Sequence, residues 1–146
     1  MDDAATAAVA GTEDADGVVG EGAMPDDRAT LTGRGRVILV VEDDKPFAEI
    51  VYDLAKEMSF ECLVATTAEE ALRLAKRFVP NAIVLDVGLP DNSGLIVLER
   101  LKSDPNTRHI PVHIISASDY THTALSLGAV GYMMKPVKRE QLVESR

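Results

Sequence analysis

Four apolar stretches of this chain end on residues suited to metal or phosphate chemistry. Residues 37–41 run into Glu42, Asp43 and Asp44, and residues 82–85 run into Asp86. Residues 112–115 run into Ser116, and residues 132–134 into Lys135 and Pro136. A fifth stretch, 62–65, is followed only by Thr66 and Thr67. Carboxylates are hard oxygen donors that suit Mg²⁺, which takes octahedral oxygen ligands and keeps several waters. An ammonium and a hydroxyl suit the oxygens of a transferring phosphoryl group. Its transfer to a carboxylate needs an in-line nucleophile, a divalent cation and fixed positive charge. These residues form one site if the apolar stretches are neighbouring strands of one parallel sheet.

The segments between them make that arrangement the expected one. Phe47, Ile50, Val51, Leu54, Ala55 and Met58 recur at helical spacing, the pattern of one buried helix face. Ala68, Ala71, Leu72, Ala75 and Val79 repeat it, with Thr67 placed to cap and Glu69 and Glu70 in the first turn. Leu95, Leu98 and Leu101 give a third face after Gly94. The apolar stretches are continuous rather than alternating, as in strands covered on both faces. Alternating β and α units with short right-handed crossovers predict a doubly wound α/β sheet. Ligands of such sheets bind beyond the carboxyl ends of the strands, where the residues above stand.

Taken singly, each feature has an ordinary reading. An acidic trio after a strand suits a helix N-terminus, Asp86 suits a loop cap, and a strand-ending Ser or a Lys-Pro pair is common. Four of them at four strand ends favour one site.

The pattern resembles the receiver domain of two-component response regulators, in the version often attached to hybrid sensor histidine kinases. The residues that carry the resemblance are Val40, Val41, Glu42, Asp43 and Asp44; Leu85 to Pro90 with Gly94; Ser116 and Ala117; and Gly131, Tyr132, Lys135 and Pro136. It spans residues 36–146 and implies a flavodoxin-like five-stranded parallel sheet in the order 2-1-3-4-5. The second strand is then an edge, which accounts for its empty end. The resemblance further implies that Asp86 is phosphorylated and that Asp43, Asp86 and the Gly88 carbonyl bind Mg²⁺. Glu42 would assist the metal through water. Ser116 and Lys135 would contact the phosphoryl group, and a cis bond before Pro136 would aim the lysine. Ser116 and Tyr132 would form the switch. Asp44 has no matched role and is expected to face solvent. Ser116 and Lys135 are only 19 positions apart, so the fourth helix, near 120–127, is expected to be short with a thin apolar face.

The implied partners are a histidine kinase or a histidine phosphotransfer domain, with receiver–receiver or kinase-core contacts as further candidates. An Mg²⁺-dependent phosphatase that forms an aspartyl phosphate is the competing class. It would want Asp-x-Asp at the nucleophile, where this chain has Gly88. The domain alone is a phosphoacceptor rather than a turnover enzyme.

The whole chain agrees with a single soluble domain. It has 146 residues, one cysteine (Cys62) and a formal charge of −9. No apolar stretch approaches a membrane span and no signal peptide is apparent, so the expectation is cytoplasmic, without nucleic-acid or membrane contact. Residues 1–35 carry eight acidic side chains against two arginines, with no periodic apolar face. They are expected to be a disordered acidic linker. The final helix, from about Lys138 with Leu142 and Val143 to bury, is short, as though cut from a longer protein such as a hybrid kinase; a free-standing receiver or interaction module is the alternative.

Overall fold

The computed structural model describes residues 25–32 and 35–135. The strands are β1 (Val37–Val41), β2 (Glu61–Ala65), β3 (Ala82–Asp86), β4 (Val112–Ser116) and β5 (Gly131–Met134). The helices are α1 (Lys45–Glu57), α2 (Ala68–Phe78), α3 (Gly94–Ser103) and α4 (Thr121–Ser126). All pairings are parallel, and the sheet order is β2-β1-β3-β4-β5. This is the doubly wound fold expected from the sequence.

Alternate residues of each strand enter opposite cores, because successive side chains point to opposite faces. Leu39, Val41, Leu63, Ile83, Leu85 and Ile114 pack under α2 and α3 with Leu74, Val97, Leu98 and Leu101. Val40, Cys62, Val64, Val84, Ile115 and Met133 face α1, meeting Ala48, Val51, Leu54 and Ala55. Two helix faces differ in detail from the sequence pattern. Ile50 is 57% exposed, off the buried stripe of α1, and Leu74 rather than Leu72 is the fully buried leucine of α2.

Register brings the strand ends together. Val41 lies beside Leu85 and Ala65, Asp86 beside Ile115, and Ser116 beside Met134. The residues after β1, β3, β4 and β5 therefore share one edge of the sheet. The fourth helix is six residues long; Ala124 is its buried residue, and among the described residues no side chain caps its start.

The N-terminal expectation needs a correction. Residues 25–32 are not a free linker: they pack along β2. Asp27 is 7% exposed and accepts from Tyr52 Oη at 2.6 Å, Lys56 Nζ at 2.7 Å and Cys62 N at 2.8 Å. The free backbone groups of an edge strand, side chains of α1 and the packing of Leu31 against the core hold the segment down. The rest of the expected linker, residues 1–24 and 33–34, lies outside the described residues, as do Pro136 with its cis bond and the final helix. Among the described residues, no helix is long and apolar enough to cross a membrane.

Candidate functional site

The first arm of the site follows β1. Glu42 N donates to Ala65 O at 2.9 Å, so the backbone remains in the ladder and carries Glu42 into the interior, 1% exposed. Asp43 emerges at the surface. Asp44 is exposed, as expected, and also has a structural part. It is the N-cap of α1 and accepts from Phe47 N at 3.3 Å, with Pro46 in the first turn where a missing N–H costs nothing.

Asp86 ends β3 and is 6% exposed. Beyond it the chain turns sharply and returns, with Gly94 N donating to Val87 O at 2.8 Å. A Cβ at Gly94 would stand 2.1 Å from the carbonyl oxygen of Asp86, so only glycine fits beneath the loop. The loop is fastened outward as well: Asp91 accepts from Ala68 N at 2.7 Å and Glu69 N at 3.1 Å, capping α2 from another part of the chain. Gly88 lies against the acidic group, since a Cβ there would meet Asp86 Oδ2 at 3.7 Å.

Carboxylate oxygens of Glu42, Asp43 and Asp86 lie within 4.8 Å of one another. Three hard anionic donors this close, with Gly88 beside them, suit Mg²⁺. Lys135 enters from the end of β5. Its Nζ is 2.6 Å from Glu42 Oε1 and 3.5 Å from Asp86 Oδ1, and it lies 5.0 Å from the centre of the Phe47 ring. The lysine thus pairs more closely with Glu42 than with Asp86.

Charge and burial shape the protonation of this group. Burial pushes the Glu42 carboxyl up to about 7, and Asp86 adds to the rise; Lys135 and the N–H of Asp44 only partly offset it. Burial works against the Lys135 ammonium, but its two carboxylate neighbours outweigh that and hold it above its ordinary range. The lysine is therefore charged, and burial favours the protonated form of Glu42.

Ser116, 4% exposed, ends β4, and Lys135 N donates to its carbonyl at 2.8 Å. Its Oγ accepts from Ser118 N at 3.0 Å. The Tyr132 hydroxyl donates to Ser118 O and accepts from Tyr120 N at 2.7 Å. The loop that starts at Ser116 is therefore tied to Tyr132 by two hydrogen bonds.

The structure thus brings Glu42, Asp43, Asp86, Gly88 and Lys135 together, with Ser116 at the adjoining strand end and Tyr132 joined to its loop. Sequence reasoning missed Phe47 beneath the lysine and Asp91 as a remote cap. Phe47 was visible as a core-face residue in the first turn of the helix that follows the acidic trio. Nothing in the spacing marks Asp91.

Comparison with known proteins agrees with this geometry. Residues 38–145 match the response regulator receiver domain. The chain is 33% identical over 112 residues to the phosphate regulon transcriptional regulatory protein PhoB of Pseudomonas aeruginosa, covering 75% of this chain and 49% of PhoB. It thus spans about half the length of that relative. It is 31% identical over 111 residues to the polar-differentiation response regulator DivK of Brucella ovis, covering 74% of this chain and 90% of DivK. The crystal structure of a CheY-like response regulator receiver domain protein from Methanospirillum hungatei superposes with a TM-score of 0.70 at 26% identity. That alignment covers 75% of this chain and 89% of the other.

Proposed function

This chain belongs to the response regulator receiver domain family, and from that premise we propose that it is a phosphoacceptor switch of a two-component phosphorelay. Asp86 takes a phosphoryl group from the phosphohistidine of a kinase or a histidine phosphotransfer domain. The observation that carries the reading is the cluster of Glu42, Asp43 and Asp86 oxygens beside the Lys135 ammonium.

An Asp86 carboxylate oxygen attacks phosphorus as the nitrogen–phosphorus bond of the donor breaks, and the bonding pair leaves with the imidazole. Asp43, Asp86 and the Gly88 carbonyl would hold Mg²⁺, with Glu42 behind them, and the cation would neutralise charge on the phosphoryl oxygens. Lys135 supplies fixed positive charge beside Glu42 and Asp86. It already spans Glu42 and Asp86, so contact with a phosphoryl oxygen needs only a shift of its flexible stem. The Ser116 oxygen accepts from Ser118 N, which leaves its proton to donate to the phosphoryl group. A pull on Ser116 is felt at Ser118 and Tyr120, both bonded to Tyr132. The switch is therefore local electrostatics biasing how one loop and one aromatic side chain pack. We further propose the setting of a hybrid histidine kinase, on the family resemblance, and a cytoplasmic location, on the sequence features given above.

The test is intact-mass analysis after incubation with Mg²⁺ and acetyl phosphate or a phosphorylated kinase. Wild type is expected to take up one base-labile phosphoryl group, and Asp86→Asn none. Equal uptake by the two proteins would sink the assignment.

A further inference from the structure

The segment 25–32 lies ahead of the residues that match the family, and its contacts serve neither the acidic cluster nor Lys135. Its target is the outer edge of the sheet. In β2, Glu61, Leu63 and Ala65 direct their backbone groups toward β1, for example through Glu61 N to Arg36 O at 2.8 Å and Glu42 N to Ala65 O at 2.9 Å. The backbone groups of Cys62 and Val64 face outward, and all four of them are occupied by three consecutive residues. Asp27 N donates to Cys62 O at 3.0 Å, and Asp27 Oδ2 accepts from Cys62 N at 2.8 Å. Asp26 Oδ2 accepts from Val64 N at 2.7 Å, and Arg28 donates to Val64 O at 2.9 Å.

The cover is itself locked. Arg28 forms an ion pair with Asp26 at 2.9 Å and reaches Glu70 of α2 at 3.3 Å. Asp27 is gripped by Tyr52 and Lys56 of α1. Thr32 donates through its N–H and its hydroxyl to Glu61. The segment turns after Asp27, where Thr30 N donates to Asp27 O at 3.0 Å, and so offers no strand edge of its own.

What lies beneath would otherwise be an exposed edge of sequence Glu-Cys-Leu-Val-Ala, without proline or lysine, fully parallel-paired on its other side. Such an edge is a template for pairing with another chain. A second copy of the same edge fits it. In an antiparallel pair centred on Leu63, Cys62 of one copy lies opposite Val64 of the other. The opposed residues exchange both N–H to C=O bonds, so the same four groups on each copy are satisfied. Glu61 then falls opposite Ala65, and like charges do not meet.

We propose that Asp26, Asp27 and Arg28 form a plug, built into the chain, that holds β2 closed against edge-to-edge pairing with a second copy. Release of the plug exposes a self-complementary dimerisation edge. Three of the four groups are held by side chains, and the fourth bond, from Asp27 N, depends on the segment those side chains fasten, so the plug is loosened by changing three residues that contribute little to either apolar core.

The test is Asp26→Ala, Asp27→Ala and Arg28→Ala combined in the full chain. Its mass is followed by light scattering over a wide concentration range, alongside amide exchange. Wild type is expected to stay monomeric through this edge, with slow exchange at Cys62 and Val64. In the dilute variant these two amides should exchange at least about tenfold faster. As concentration rises, the variant should become a dimer and the same two amides should regain protection. A variant that stays monomeric overturns the proposal, whether or not it captures other extended peptides. So does a dimer in which Cys62 and Val64 remain fast, because that association uses another surface. If the triple variant fails to fold, Asp27→Ala alone decides the matter. It removes the carboxylate that accepts from Cys62 N and must show the same concentration-dependent recovery at that amide.

Discussion

Replacing Asp27 by alanine separates a docked segment from a passive linker, and the size of the effect follows from the contacts. The substitution leaves Cys62 N–H without its acceptor in a residue that is 0% exposed. An unsatisfied buried donor costs about 1–3 kcal/mol. The Tyr52 hydroxyl and the partly exposed Lys56 can turn to water, so their charge-assisted bonds add roughly 1 kcal/mol between them. The sum is about 2–4 kcal/mol, a large share of the ~5–15 kcal/mol that stabilises an ordinary domain. It corresponds to a fall in melting temperature of roughly 8–16 °C at this chain size. Urea unfolding followed by circular dichroism should show a lower midpoint with an unchanged slope. The pH dependence adds a second check. Burial pushes the Asp27 carboxyl up, but its bonds from Lys56, Tyr52 and Cys62 N–H outweigh this and hold it below its ordinary value of 3.8. The folded state therefore favours the charged form. The contribution of Asp27 is complete above about pH 3.8 and is lost as pH falls through the lowered value. The gap between wild type and variant should close in acid. A difference under about 0.5 kcal/mol at neutral pH, the size of an ordinary surface change, would refute the docking.

Three further outcomes are expected. Gly94→Ala drives a methyl group into the Asp86 carbonyl at 2.1 Å, so it should cost about 3 kcal/mol or more and abolish phosphoryl uptake; near-normal stability would contradict the close approach. In metal-free protein the raised Glu42 carboxyl keeps a proton that the unfolded chain, titrating at 4.5, has already released. Stability should therefore fall as pH rises from about 4.5 to about 7, and Glu42→Gln should flatten that slope in chelator-treated urea titrations. Residues 121–126 bury only Ala124, so their amides should exchange fastest among the four described helices; protection equal to that of α1 would show a firmly packed fourth helix.

The parts of this protein that were legible in its sequence are those governed by burial and periodicity. Continuous apolar stretches marked the buried strands, spacing marked the helix faces, and Thr67 was identified as a cap and found as one. Once the strands are parallel and in register, the positions of Glu42, Asp43, Asp86, Ser116 and Lys135 follow. What remained hidden depends on polar side chains meeting backbone groups far along the chain. Residues 26–28 are charged and aperiodic, which reads as a linker, yet they bind an edge strand 35 or more residues away. Asp91 caps a helix that begins 23 residues before it. The preference of Lys135 for Glu42 over Asp86 is a matter of about an ångström and has no trace in residue order. Asp44 was within reach: an acidic residue two positions before a proline and three before an apolar helix face is an N-cap pattern.

The central claim is that Asp86 itself becomes the acyl phosphate. Borohydride reduces an aspartyl phosphate to homoserine and leaves unmodified carboxylates unchanged. Treating the phosphorylated chain with borohydride and mapping its peptides therefore reads the modified residue directly. The account predicts reduction at Asp86 alone, dependent on Mg²⁺ during phosphorylation and absent without a phosphoryl donor. Reduction at Asp43, Asp44 or any other carboxylate, with Asp86 unmodified, would contradict it.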